Sequence, residues 1–301
     1  MTRPSHIFIV GLSRTGTTLT RRILNCADEV GIGGESQFFG DRCRLGLLRR
    51  EGYRDRFAQL GDLHTDEGAK RVVDSIFTIK QNNFWGKIAR GADYEQFLNQ
   101  VLASDRSERA LLDIAMSFFA DGKPIHGEKT PAHIYAVPTL LQWYPNAKII
   151  HTFRDPRAVY ISNKRKYEKR QLPFLSVKLR RTKMVFEGYA SLDVMLNWRR
   201  VIRLHRKYQR HYPNQYYLSR YEDLIATPRA SVEQLCAFLG IPFQEEMLNQ
   251  MVLNSSFLPK NSLPGFDTQA IYRWRDHLNP QINRWFVFWC GRQLQEFGYQ
   301  P

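Results

Sequence analysis

His6-Ile7-Phe8-Ile9-Val10-Gly11-Leu12-Ser13-Arg14-Thr15-Gly16-Thr17-Thr18-Leu19 decides the fold. The apolar run Ile7 to Val10 stops at Gly11. A second glycine, Gly16, opens onto Thr17, Thr18 and apolar residues at helical spacing, Leu19, Ile23 and Leu24. This pattern predicts a strand, a tight loop and a helix N-terminus. Free backbone N–H groups and the positive end of the helix dipole converge there, which makes an anion site. Gly16 lets the backbone approach an anion closely. Arg14, Thr15, Thr17 and Thr18 add one cation and three hydroxyls. Gly11-x4-Gly16 has the spacing of a Walker A loop, but Thr17 stands where that loop carries its lysine. The loop suits a phosphate-like group and lacks the side chain that serves a nucleoside triphosphate. Taken alone, the same residues also fit a tight turn whose hydroxyls cap the helix.

A second stretch, Lys148-Ile149-Ile150-His151-Thr152-Phe153-Arg154-Asp155-Pro156, continues to Ser162 and repeats the pattern. Tyr144 to Ala147 reads as a turn, Lys148 to Phe153 as a buried strand, and Asp155-Pro156 as a helix start with proline in the first turn. Arg154 falls at the strand end and Ser162 two turns into the helix. Here the sequence resembles the sulfotransferases that use 3′-phosphoadenosine 5′-phosphosulfate (PAPS). In that family a strand-loop-helix carrying [K/R]-[S/T]-G-T-T holds the 5′-phosphosulfate, and a later Arg with a Ser eight residues on binds the 3′-phosphate. Arg14-Thr15-Gly16-Thr17-Thr18 and Arg154-x7-Ser162 match both. Gly127-Glu128-Lys129-Thr130-Pro131 resembles the family's Lys-Thr-Pro element, Tyr221-Glu222-Asp223-Leu224 its Y-E-D-L, and Phe266 through Arg275 its closing nucleotide loop. The resemblance spans nearly the whole chain with its motifs in order, and its active-site context is closer to the tyrosylprotein and carbohydrate branches than to the cytosolic steroid branch.

The resemblance implies an α/β fold, with a P-loop-like central parallel sheet flanked by helices on both faces. It implies in-line transfer of a sulfuryl group from PAPS to a hydroxyl, or an amine, of an acceptor. No metal is expected, because lysine or arginine supplies the charge on the bridging oxygen. Arg14 and Lys129 are the candidates for that role. Glu35 resembles the family's glutamate base. Glycines precede it and aromatic residues follow it, and a carboxylate beside apolar rings suits proton acceptance near neutral pH. His126 and His133, which flank Lys129, are the rivals. Arg154 and Ser162 are expected on the 3′-phosphate, since arginine offers a permanently charged bidentate fork. Tyr221, Lys260 and Arg273 complete the expected nucleotide contacts. Trp198 reads as core, and Asp155 to Arg157 as shaping the turn. A nucleotide kinase or hydrolase, or a non-catalytic anion or nucleic-acid binder, is the alternative.

Composition is compatible with this reading. At 301 residues, with 43% apolar content, no linker and no repeat, the chain is expected to be one domain, 1–301. Helical, acceptor-side insertions are expected near 41–120 and 165–195. Net charge is +15. Arginines sit at motif positions and within Trp198 to Lys207 rather than in a basic tail, so an anionic cofactor is expected and nucleic acid is not. Cys26, Cys43, Cys236 and Cys290 have no metal-ligand spacing. With no signal peptide and no apolar stretch long enough to span a membrane, the expectation is a soluble, bacterial-type cytoplasmic enzyme. Its acceptor is a small molecule, a lipid or a glycan. Oligomeric state has no signature in the sequence.

Overall fold

The structure, a computed structural model, describes residues 4–43, 48–169, 183–249 and 265–300. β1 (His6–Gly11) leads into α1 (Thr17–Asn25) and β2 (Val30–Ile32). An antiparallel ribbon follows, β3 (Asp41–Cys43) with β4 (Leu48–Arg50). Then come α2 (Tyr53–Ala58), α3 (Asp66–Phe77), α4 (Phe84–Gly91), α5 (Tyr94–Ala103) and α6 (Glu108–Ala120). β5 (Ile125–Lys129), a 3-10 turn at Pro131–Tyr135, α7 (Val137–Trp143) and β6 (Lys148–Phe153) come next. The remainder comprises α8 (Pro156–Lys169), α9 (Lys183–His211), β7 (Tyr216–Arg220), α10 (Tyr221–Ala226), α11 (Pro228–Leu239) and α12 (Pro280–Glu296).

Five strands form one parallel sheet in the order β2-β5-β1-β6-β7. Side chains alternate across a strand, so β1 feeds two cores. Ile7 and Ile9 pack with Ile23, Leu24, Val232 and Leu235 from α1 and α11. Phe8 and Val10 face the other way, towards Leu111, Met116, Val137 and Leu140 from α6 and α7. Burial on both faces explains why β1 and β6 read as continuous apolar runs. A third core joins α8, α9 and α12 around Tyr160, Trp198 and Phe286. Register places Ile9 beside Lys129 and Gly11 beside Thr152, so the functional ends of β1, β5 and β6 meet along one edge. Ligands on open parallel sheets bind at that C-terminal edge.

Local signals hold where they rest on caps. The Asp93 carboxylate accepts from Gln96 N–H at 2.7 Å to start α5. Gly240, at φ 68°, closes α11. The 41–120 stretch begins with the β3–β4 ribbon, and α6 lies on the sheet, where Leu112, Ala115 and Met116 are buried. α6, the last helix of that stretch, is therefore part of the core layer. Lys129 is the last residue of β5. Of the 165–195 region, 170–182 lies outside the described residues, and Lys183 onward is α9. Among the described residues no helix is long and apolar enough to cross a membrane.

The β1–β5 contact is tight at Gly127, where an added Cβ would lie 2.1 Å from the Ile7 carbonyl oxygen. That atom is backbone and cannot swing aside. Gly127→Ala is expected to cost about 1–3 kcal/mol and to lower the urea midpoint with an unchanged m-value. An unaltered midpoint would show that the two strands can separate freely there.

Candidate active site

The loop after β1 is bent by its backbone. Gly11 (φ 143°), Arg14 (φ 76°) and Gly16 (φ 98°) all lie at positive φ, a conformation costly for a side chain such as that of Arg14. A Cβ at Gly16 would come within 2.6 Å of the Tyr221 ring. No side chain caps α1 and no acidic residue occupies its first turn, so its leading N–H groups point into the loop without a carboxylate in competition. The hydroxyl of Thr15 is turned inward. It donates to the Leu12 carbonyl at 2.7 Å and meets the Thr152 hydroxyl at 2.7 Å, which pins the loop to β6. Thr15 is buried, so its contribution to an anion is its backbone, not the hydroxyl that the sequence suggested. Thr17 is also buried and Thr18 is half-buried.

Arg154 leaves the end of β6 and spans the site. Its Nη1 donates to the Arg14 carbonyl at 3.2 Å and its Nη2 to the Ala270 carbonyl at 2.9 Å. The guanidinium lies 4.0 Å from the centre of the Tyr221 ring. Its Nε is buried with no hydrogen-bond partner among the described residues. Arg14 Nε donates to the Ser162 hydroxyl at 2.8 Å, so the two motif arginines and the motif serine share one pocket. Burial, together with the facing Arg154, pushes the Arg14 guanidinium below its ordinary range, and Tyr221 and Glu35 offset this in part. Burial pushes the Tyr221 phenol up. Two cations held this close with a buried N–H unspent form a built anion pocket. Trp198, fully buried, fixes the turn from behind by donating to the Arg154 carbonyl at 3.1 Å. Asp155 engages Arg157 through both carboxylate oxygens, which leaves these residues a turn-shaping role.

Beside the loop, Lys129 Nζ donates to Glu35 Oε1 at 2.5 Å. The Lys129 side chain is only 7% exposed and that of Glu35 is 43% exposed, so the carboxylate faces outward over a buried ammonium. The rings after Glu35 do not cover it: Phe38 and Phe39 turn into the core against Trp143. A fully buried carboxylate, Glu128, holds this arrangement. It accepts from Ser36 N–H at 3.3 Å and from the Thr130 hydroxyl, and its Oε1 lies 2.6 Å from His133 Nδ1. The Phe39 N–H donates to His133 Nε2 at 3.2 Å, which leaves the ring proton on Nδ1, facing Glu128. Both nitrogens of His133 are thus spoken for inside the core. His126 lies at the opposite end of the sheet, paired in register with His6. His133 is thus engaged inside the core, and His126 lies at the other end of β5 from Lys129.

Residues 4–245 match the sulfotransferase family. The chain belongs to that family. It is 24% identical over 291 residues to a putative protein-tyrosine sulfotransferase of Caenorhabditis briggsae, across 90% of this chain and 80% of that one. It is 26% identical over 260 residues to the omega-hydroxy-beta-dihydromenaquinone-9 sulfotransferase Stf3 of Mycobacterium bovis, across 78% of this chain. The alignment covers 62% of the mycobacterial protein, less than two thirds of its length. The sulfotransferase domain of the Synechococcus PCC 7002 olefin synthase has the same fold, with a TM-score of 0.57 at 19% identity over 95% of this chain and 96% of that one. Membership makes the protein a PAPS-dependent sulfotransferase with the P-loop-like α/β fold, and sets aside the kinase and hydrolase reading.

The structure of this sulfotransferase brings Arg14, Gly16, Thr17, Thr18, Arg154, Ser162 and Tyr221 around one loop, with Glu35 and Lys129 adjoining it. Arg273 is held by both oxygens of Asp267, at 2.8 and 2.9 Å, so its fork braces the late segment beneath Tyr221. Lys260 lies outside the described residues. Sequence reasoning missed Glu128 and its ring of donors, although it quoted Glu128 inside a motif. It also missed Arg21 on α1, whose buried Nε has no hydrogen-bond partner among the described residues and whose charge is felt by Glu35.

Burial alone pushes the Glu128 carboxyl up. The His133 ring and the donors from His133, Thr130 and Ser36 outweigh it and hold the group below its ordinary value of 4.5. A depressed carboxyl stabilises the fold fully above that ordinary value, and the contribution is lost as pH falls through the depressed one. Glu128→Gln sets an amide donor against donors and is expected to cost about 1–3 kcal/mol at neutral pH. Its stability should then fall less steeply than wild type in acid, below about pH 4.5. Parallel acid profiles in chemical denaturation would refute an ionised Glu128.

Proposed function

We propose that this sulfotransferase transfers the sulfuryl group of PAPS to a hydroxyl of a small-molecule or lipid acceptor, with Glu35 as the base that takes the acceptor's proton. The observation that carries this reading is the Lys129–Glu35 pair at 2.5 Å, buried at the lysine and open at the carboxylate, beside the loop that holds Arg14. The residues fit PAPS. An uncapped α1 N-terminus, the unspent Nε of Arg154 and two mutually opposed guanidiniums are what a doubly phosphorylated nucleotide satisfies. When bound, PAPS supplies an activated sulfuryl group on a phosphate leaving group.

The protein's own residues divide the work. Backbone N–H groups of Thr15 to Thr18 and the α1 dipole hold the 5′ end, with the hydroxyls of Thr17 and Thr18 at its margin. Gly16 admits it against Tyr221. Arg154 and Ser162 hold the 3′-phosphate, and Arg14, bonded to Ser162, bridges the two ends. Tyr221 is the platform under Arg154, and Arg273 steadies the segment that Arg154 reaches. Lys129 neutralises charge at the transferring group and orients Glu35, whose exposed carboxylate meets the acceptor hydroxyl. The two curated relatives are named for a protein tyrosine and an omega-hydroxy menaquinone, both hydroxyl acceptors. The buried free thiols of Cys236 and Cys290 support a reducing, cytoplasmic setting.

Two measurements test the assignment. Glu35→Gln is expected to lower turnover by roughly 100-fold or more while calorimetric binding of 3′,5′-ADP stays close to wild type. Near-normal turnover removes Glu35 as the base. Arg154→Ala should cost about 2–5 kcal/mol in binding 3′,5′-ADP and change 5′-AMP binding little, so the preference for the 3′-phosphate largely vanishes. A retained preference would overturn the placement of Arg154.

A further inference from the structure

Eight large apolar side chains stand exposed among the described residues, and six of them share two helices. Val185, Tyr189 and Leu192 lie on α9; Trp285, Phe288 and Trp289 lie on α12. Phe288 is 80% exposed and Trp289 is 52% exposed. The helices touch at this end, where a Cβ on Gly188 would lie 3.6 Å from the Trp285 ring. Phe288 and Trp289 pack edge to face at 5.4 Å. Residues 185, 189, 192, 196, 199, 203 and 206 fall on one stripe of α9 at helical spacing. The stripe is apolar up to Leu196 and then becomes Arg199, Arg203 and Arg206. Those arginines, with Arg200 and Gln293, line a groove of about 340 Å³ between α9 and α12. Arg206 pairs with Glu296 at 2.5 Å. Arg199, Arg203, Arg284 and Arg292 have no carboxylate partner among the described residues.

We propose that this face of α9 and α12 docks on a lipid bilayer carrying anionic headgroups. The face grades from aromatic and aliphatic side chains to arginines, of which Arg199 and Arg203 have no carboxylate partner among the described residues, and this matches the boundary between acyl chains and anionic headgroups. Trp and Phe at that depth keep apolar rings in the acyl region, and the indole N–H keeps a wet partner. A second copy of the chain would bring the same arginines and the same +15 net charge, and so repel. The exposed Val185, Leu192 and Phe288 give a bilayer apolar depth that a nucleic-acid backbone cannot use. α9 and α12 pack on α8 through buried residues, among them Val194, Trp198 and Phe286, and present this face outward. The inference is independent of the acceptor's identity.

The test is flotation of the full chain with vesicles of phosphatidylcholine alone or mixed with phosphatidylglycerol, with 3′,5′-ADP affinity measured in parallel. Wild type is expected to float with the anionic vesicles at low salt, to be released by added salt, and not to float with phosphatidylcholine. Joint Phe288→Ser and Trp289→Ser should weaken partitioning roughly tenfold. Arg199→Gln and Arg203→Gln should each weaken it about fivefold. All should leave 3′,5′-ADP affinity unchanged, which separates lost docking from lost folding. The proposal is overturned by failure to float with anionic vesicles, or by variants that float like wild type. It is equally overturned if Phe288→Ser and Trp289→Ser abolish a self-association seen by sedimentation, or if a single-stranded oligonucleotide displaces the protein from vesicles through the arginines alone.

Discussion

Glu128 is a charge placed where water cannot reach it, and its three donors come from two separate segments, Ser36 and the Thr130–His133 turn. An isolated buried carboxylate is unaffordable in free-energy terms; one that accepts three hydrogen bonds is a fixed point. From that point the chain at Ser36 is tied to the end of β5, and the Thr130–His133 turn is tied to both. Glu35 precedes Ser36 and Lys129 follows Glu128, so the two reactive-looking side chains inherit their positions from the carboxylate between them. His133 extends the hold to the Phe39 amide. The rings of Phe38 and Phe39 are drawn into the core as a result, and Glu35 is left facing out.

The nucleotide side depends on the opposite device. There the fold concentrates like charge instead of compensating it. Arg14 and Arg154 face one another, Arg14 sits at positive φ, and a buried guanidinium N–H is left unspent. Each feature costs stability in the ligand-free protein. Arg154 binds two backbone carbonyls, of Arg14 and Ala270, and stacks on Tyr221, which prevents the pair from relieving its repulsion by swinging into solvent. The structure is held ready for a polyanion by neighbours that are themselves neutral.

The strand-loop-helix geometry at both motifs was legible in the sequence because its signals are local. A strand, a glycine, a turn and an uncapped helix start lie within fourteen consecutive residues, and Arg154 and Ser162 are fixed by one strand end and one helix. The sheet, its parallel direction and the caps at Asp93 and Gly240 follow from periodicity and turn chemistry in the same way. What failed needed tertiary knowledge. Nothing near Glu128 says that its neighbours across the sheet leave it without water. Nothing in the Thr15 hydroxyl says that Thr152 waits for it on another strand. Nothing in the sequence of α6 says that its apolar residues lie against the sheet, where Leu112, Ala115 and Met116 are buried. His126 and His133 sit close to Lys129 in sequence, yet strand geometry sends the first to the far edge and burial takes the second.

The same contrast bears on how such an enzyme changes its acceptor. The loop after β1 and the Arg154 turn are built from backbone and from residues wedged between strands, where a substitution meets packed neighbours on every side. Glu35 is fixed by its chain neighbours, while its own side chain meets solvent and a single buried lysine. Under the proposed role of Glu35, its carboxylate can stay in place while the wall opposite it is rebuilt, provided that Glu128 keeps its donors. A change of acceptor requires new side chains on the open side of Glu35 and none beneath it.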